Sequence, residues 1–209
     1  MPTDSSERHA HWQNIYRTRC TDSVSWFRPH LEVSLNLLAA GGMSAASRVI
    51  DIGGGASTLV DDLLARGLRH VSVLDVSEEA VAHARQRLAE RADLVQWLAG
   101  AVLEVALPRG GFDFWHDRAV LHFLTDPADA TRYAQISASA LARGGYAVIG
   151  GFAPDGPERC SGLPVVRRSA QQIGELFAPA FALVQSHAER HQTPTGAEQS
   201  FAYALLQRR

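Results

Sequence analysis

The chain has 209 residues, 46% of them hydrophobic and 20% charged, with a formal net charge of -2 and an isoelectric point of about 6.5. That is enough chain for one domain with a real core, and the near-neutral balance argues against a nucleic-acid or membrane binder held by bulk charge. Two cysteines, Cys20 and Cys160, exclude a disulfide scaffold and fit a reducing cytoplasm, while a polar opening segment and the lack of any run near the roughly 18 apolar residues of a spanning helix exclude a membrane anchor.

Taken in order, the first pattern is a short helix near Glu7–Arg19 that presents Trp12, Ile15 and Tyr16 on one side. A second helix, Pro29 to Ala40, buries Leu31, Leu35 and Leu38. The β-branched run Arg48–Ile52 reads as a strand and breaks into Gly53, Gly54 and Gly55. Leu59, Leu63 and Leu64 then give a helix its buried face, and Gly67 ends it. Strand His70–Asp75 follows, with Ser77 as N-cap of a helix through Leu88 and Glu78 and Glu79 on its positive end. Further strands are expected at Leu94–Leu98, Phe112–His116 and Tyr146–Phe152. Asp126-Pro127 opens a helix that the pair Gly144-Gly145 is expected to stop. Ser169 and Gln172 form a capping box for a helix through Phe177. Two last strands, around Phe181–His187 and Phe201–Gln207, lack a helix between them and read as an antiparallel pair. Strands alternating with helices predict an α/β fold with a mostly parallel sheet.

The costliest stretch to order is Gly53-Gly54-Gly55, because glycine loses the most conformational freedom on folding. It stands between a strand and a helix, and Asp75 closes the next strand 20 residues after Gly55. In a doubly wound sheet such a turn lies under a ligand at the carboxyl edge, and an acid ending the second strand can hold two ribose hydroxyls. A dinucleotide site wants a third glycine where this chain has Thr58, and Asp51 would sit badly beside a pyrophosphate. A cationic ligand suits Asp51 better.

Here the chain resembles the class I S-adenosylmethionine-dependent methyltransferases. "VIDIGGGAS" resembles their acidic-x-G-x-G motif, with Ser57 where a third glycine often stands; "VLDVS" resembles the ribose-binding motif; "FDFWHDRAVLHFL" resembles the fourth-strand motif; "LARGGYAVIGGF" resembles the turn into the fifth strand. The resemblance covers the chain from about Trp12 to its end. It implies a Rossmann-like three-layer sandwich with a seven-stranded mixed sheet and an antiparallel C-terminal strand pair. Residues 1–45 are then a helical lid on the substrate side and 46–209 the cofactor-binding core of one domain. The implied cofactor is S-adenosyl-L-methionine, with S-adenosyl-L-homocysteine as product, and no metal.

The resemblance also assigns site residues. Asp51, Gly53, Gly54, Gly55, Ser57, Thr58, Asp75, Val76 and Ser77 belong to the cofactor, together with Gly100, Ala101 and Val102; Ala101 departs from the acid that usually meets the adenine, leaving backbone groups for that contact. Trp26 is expected to close over the cofactor or acceptor, and Arg28 to reach the cofactor carboxylate. Methyl transfer needs a nucleophile about 3 Å from the methyl, on line and shielded from water. His116, Asp117 and Arg118 are the catalytic candidates there. His116 is either a base and substrate contact or a strand-end histidine bonded to Asp117 or backbone. Asp117 and Arg118 pair with each other or meet the cofactor's amino-acid end. His122 is expected to pack under the cofactor. The 153–169 loop, with Cys160 and Arg167-Arg168, is a candidate substrate lid. His187 and His191 have a metal-like spacing only if helical, and an extended chain is expected there. The favoured acceptor is a small molecule, with a protein lysine or a non-catalytic nucleotide-binding module as alternatives. No nucleic-acid or membrane partner is expected, and the chain is read as a monomer or homodimer.

Overall fold

The computed structural model describes residues 5–209. In chain order the elements are α1 (Ser5–Thr18), α2 (Glu32–Ala40), β1 (Arg48–Ile52), α3 (Leu59–Ala65), β2 (His70–Asp75), α4 (Glu78–Leu88), β3 (Val95–Ala99), β4 (Phe112–Arg118), α5 (Pro127–Ala140), β5 (Leu141–Phe152), the two-residue strands β6 (Arg159–Cys160) and β7 (Leu163–Pro164), α6 (Ala170–Phe177), β8 (Phe181–Gln192) and β9 (Glu198–Arg208). Seven strands form one sheet in the order β3-β2-β1-β4-β5-β9-β8. Within it all pairings are parallel except those of β9 with β5 and β8, and β6 and β7 form a separate antiparallel pair.

Period-two alternation along the strands divides the core. Val49, Val71 and Phe114 join Leu35 and Leu38 of α2 and Leu59 and Leu63 of α3 on one face. Ile50, Leu74 and Trp115 join Tyr133 of α5 and Phe177 of α6 on the other. The result is the expected Rossmann-like sandwich. The strand order reverses between β1 and β4, and that switch point opens a crevice at the carboxyl ends.

The caps behave as their chemistry demands. Ser77 accepts from the Ala80 N–H at 3.2 Å, Asp126 accepts from Ala128 at 2.8 Å ahead of Pro127, and Ser169 with Gln172 completes the capping box. The largest departure from the expected boundaries is at the end of α5, while α2 starts at Glu32 and β4 runs on to Arg118. The helix opened by Asp126-Pro127 stops at Ala140, and the chain passes directly into β5. Gly144, at φ +79°, and Gly145, whose Cβ would lie 2.8 Å from the Asp113 carbonyl oxygen, instead let β5 bulge where its register on β4 shifts. The last two strands are also longer than expected, so a short turn, not a long loop, joins them. No helix among the described residues is long and apolar enough to cross a membrane.

Candidate active site

The glycine turn leaves β1 with its backbone turned into the left-handed region: Gly53 has φ +67° and donates to the Leu74 carbonyl at 2.7 Å. Its neighbours explain the glycines directly. A Cβ on Gly53 would collide with Val120, and one on Gly54 with the Asp51 carboxylate. One on Gly55 would lie 2.6 Å from the Ala80 Cβ and 2.7 Å from Asp75 Oδ2. What approaches this backbone so closely is the protein's own site, before any ligand arrives. Beyond the turn, Ser57 Oγ accepts from Leu59 N–H at 3.1 Å, and Thr58 Oγ1 donates to the Arg28 carbonyl at 2.8 Å, tying the segment before α2 to the turn.

Asp75 is held by the loops it organises. Oδ2 accepts from Gly55 N–H at 2.9 Å and Oδ1 from Ser77 N–H at 2.8 Å. Burial pushes its pKa up to about 6, against the pull of those two N–H groups. Ser77 donates to Gln13 Oε1 at 2.5 Å, and the same oxygen accepts from Glu79 N–H at 3.0 Å. Gln13 thus pins α1 over the N-terminus of α4.

At the end of β4, alternation sends His116 and Arg118 to one face and Asp117 to the other. The expected His116–Asp117 and Asp117–Arg118 contacts are accordingly not made. His116 is 1% exposed, and its Nδ1 lies 2.6 Å from Asp51 Oδ1 and its Nε2 2.8 Å from Ser34 Oγ. Asp117 accepts from the N–H groups of Val120 (2.7 Å) and Leu121 (3.0 Å) and from the Tyr133 hydroxyl (2.5 Å), so it builds the turn after the strand. Burial raises its pKa to about 6. Arg118 Nε donates to the Tyr203 hydroxyl at 3.0 Å and Nη1 to the Trp26 carbonyl at 2.9 Å, while its guanidinium lies 4.5 Å over the Phe201 ring. His122 is buried between Phe123 and Phe152, and burial together with Arg118 and Arg168 pushes its pKa down to about 3.

A cavity of about 370 Å³ lies over the switch point. One side carries Gly53, Asp75, Val76 and Gly100–Val102; Gly100 is at φ +140°. The other carries Trp12, Tyr16, Trp26 and Phe123, with Arg118 and Cys160. Trp12 meets Trp26 edge-on at 5.7 Å and Phe123 at 5.2 Å, so α1 roofs the cavity with aromatic rings. Burial pushes the Cys160 thiol up to about 12, which keeps it unreactive at neutral pH. A smaller cavity of about 50 Å³ is lined by Arg28, Asp51, Ser57, Thr58 and His116, and it shares Gly53, Trp26 and Arg118 with the larger one. Asp51 Oδ2 has no hydrogen-bond partner among the described residues. Gly54, Gly55, Ser77 and Asp117 line neither cavity; they support its walls.

Residues 49–145, β1 to the bulge of β5, match the family model described as a methyltransferase domain. That stretch, with the glycine turn and Asp75 inside it, is what this chain shares with methyltransferase domains. A ubiquinone biosynthesis O-methyltransferase of Aromatoleum aromaticum is 32% identical over 114 residues, 53% of this chain; the chain spans about half the length of that curated relative, 48%. Solved structures extend the likeness in fold over nearly the whole chain. A structure described for the conversion of a disulfide bond into a thioacetal group during echinomycin biosynthesis superposes with a TM-score of 0.76 at 18% identity, covering 96% of this chain and 92% of that one. A Burkholderia thailandensis 1,6-didemethyltoxoflavin-N1-methyltransferase, with 1,6-didemethyltoxoflavin and S-adenosylhomocysteine bound, gives 0.72 at 22% identity over 99% and 92%.

Several residues of this site escape sequence reasoning. Ser34 looks like an ordinary helix residue and is the second partner of His116. Glu189, past the expected end of its strand, and Tyr203, an ordinary strand residue in the sequence, complete a chain of contacts into the site. Arg118 donates to Tyr203, whose hydroxyl donates to Glu189 Oε2 at 2.7 Å, and Glu189 Oε1 pairs with Arg28 at 2.9 Å. Arg28, expected to be free for a carboxylate, is thus held by the terminal hairpin. His191 Nε2 adds a contact to the Ser25 carbonyl at 2.7 Å, and His187 is exposed on β8. Among the described residues no three His, Cys, Asp or Glu cluster as metal ligands.

Proposed function

We propose that the protein transfers a methyl group from S-adenosyl-L-methionine to a small-molecule acceptor. The observation that carries this is the pair of adjoining cavities at the switch point, each with its own buried acid. Asp75, on the larger one, suits the hydroxyls of a ribose. Asp51, on the smaller one, keeps a carboxylate oxygen without a donor and suits an ammonium group.

When bound, the cofactor supplies an electrophilic methyl on a sulfonium centre whose leaving group is a neutral thioether, so no acid is required of the protein. The protein's own task is placement and exclusion of water. Val76 and Gly100–Val102 wall the adenine end, and Gly53 lets the chain turn beneath the middle. The α1 roof closes the far side with Trp12, Tyr16 and Phe123, leaving room for a small acceptor beside Arg118. A roofed volume of about 370 Å³ suits a small molecule better than a protein segment. The 1,6-didemethyltoxoflavin bound to the Burkholderia enzyme supports the same choice. His116, with both ring nitrogens engaged and 1% exposed, is assigned to support of Asp51 and not to proton abstraction.

Calorimetric titration tests the reading. S-adenosylhomocysteine should bind with micromolar affinity and NADH should not. Failure of the folded protein to bind S-adenosylhomocysteine overturns it.

A further inference from the structure

We infer that Ser34 and His116 are positioning residues for the cofactor's ammonium group, acting through Asp51; the inference rests on the cofactor reading just given. Three elements bring the side chains together. Asp51 on β1 and His116 on β4 are register partners in adjacent parallel strands, so their side chains leave the same face of the sheet. Helix α2 packs over that face and delivers Ser34. All three are buried, with 1%, 1% and 0% exposure respectively, and only Asp51 and His116 border the smaller cavity.

Valence fixes the direction of the chain. A carboxylate only accepts, so at 2.6 Å from Asp51 Oδ1 it is His116 Nδ1 that carries the proton. The ring's other nitrogen, Nε2, meets the Ser34 hydroxyl at 2.8 Å, so both nitrogens are engaged and the ring cannot turn. The three groups are satisfied in one orientation, and the carboxylate is anchored by one oxygen. Its other oxygen, Oδ2, is left without a donor. Gly54 keeps that oxygen's place open, because a side chain there would collide with it. A buried, charged oxygen with no donor is normally removed by rotation or by water. Here the His116 bond resists rotation, and the smaller cavity beside Asp51 has room for a cation's head group.

The same distances would describe an activated serine nucleophile with its base and orienting acid. Ser34 has no accessible surface, so no substrate reaches it, and the arrangement can act only by holding Asp51.

The test compares two ligands on the full chain: S-adenosylhomocysteine, and 5′-methylthioadenosine, which keeps the nucleoside but lacks both ammonium and carboxylate. Ser34→Ala should weaken S-adenosylhomocysteine about 5- to 10-fold, and His116→Phe roughly 30-fold or more, the size of one or two lost hydrogen-bond contributions. His116→Asn, whose amide N–H overlays Nδ1, should recover to within about 3-fold of wild type. Methylthioadenosine should change by less than about 2-fold throughout. Equal losses for both ligands, or unchanged S-adenosylhomocysteine affinity in His116→Phe, overturns the inference; should His116→Phe fail to fold, Ser34→Ala against His116→Asn makes the same comparison. Wild type binding both ligands equally also overturns it while leaving the nucleoside site intact. Wild type binding neither removes the cofactor reading itself.

Discussion

Replacing Asp75 by alanine separates its two duties, because they act on different measurements. In the ligand-free protein the carboxylate is buried and its pKa stands at about 6 against an ordinary 3.8. A folded value above the unfolded one means that the favourable share is present below about pH 4 and is lost as the pH rises through 6. At 1.36 kcal/mol per unit, two units make the ionised side chain a burden of roughly 3 kcal/mol at neutral pH. Asp75→Ala removes that burden but strands the N–H groups of Gly55 and Ser77, at about 1–3 kcal/mol each. The two effects offset near pH 7, so the variant should fold. Between about pH 4.5 and 7.5 its stability should gain on wild type by roughly 2 kcal/mol, read by urea unfolding. Binding has no such compensation. Two ribose hydroxyls lose a charged acceptor at about 1.5–3 kcal/mol each, so S-adenosylhomocysteine affinity should fall at least about 100-fold. A loss under about 10-fold, or a stability difference that does not move with pH, would refute the reasoning.

Other substitutions probe the supports. Gly53→Ala combines a side chain at φ +67° with a collision against Val120 and should cost at least about 2 kcal/mol by urea unfolding; Val120→Ala in the same chain should restore part of it, and no recovery would mean that the contact is not the cause. Tyr133→Phe strands the Trp115 indole N–H and removes a donor from Asp117, so a loss of about 2–4 kcal/mol is expected with little change in ligand affinity in the folded fraction. His122 titrates in the opposite sense to Asp75. Its folded value of about 3 lies below 6.5, so its contribution is present above pH 6.5 and lost as the pH falls. His122→Phe should therefore flatten the acid limb of stability between about pH 6.5 and 4.5, by up to about 1.4 kcal/mol per unit, and an unchanged limb in thermal or urea unfolding would count against the burial argument.

The fold was legible because its signals are local and repeated. Caps at Ser77, Asp126 and Ser169 and runs such as His70–Asp75 each state an element without reference to the rest of the chain. The boundary that differed most, Ala140 in place of Gly144-Gly145, turned on a tertiary fact: the register of β5 against β4 makes those glycines a bulge. The glycine turn and Asp75 were legible for a related reason. A turn of glycines between strand and helix, and an acid at the end of the next strand, must stand at the carboxyl edge of any doubly wound sheet.

The catalytic face was not legible to the same degree, and "His-Asp-Arg" shows why. Three polar residues in a row suggest one functional cluster. A strand distributes them instead to two faces, and each finds a partner distant in sequence: Asp51 and Ser34 for His116, Tyr133 for Asp117, Tyr203 and the Trp26 carbonyl for Arg118. Those partners lie in α2, α5, the segment before α2 and the terminal hairpin, so no window of sequence contains the pairings. What the sequence could have offered is parity. His116 and Arg118 share the parity that faces α2, the face on which Leu35, Leu38 and Phe114 pack. On that side of a sheet a histidine is covered before it is catalytic, while an arginine two residues on is long enough to reach the rim. Applied to β4, that rule places His116 at the floor of the smaller cavity and Arg118 on the wall of both, which is where the structure has them.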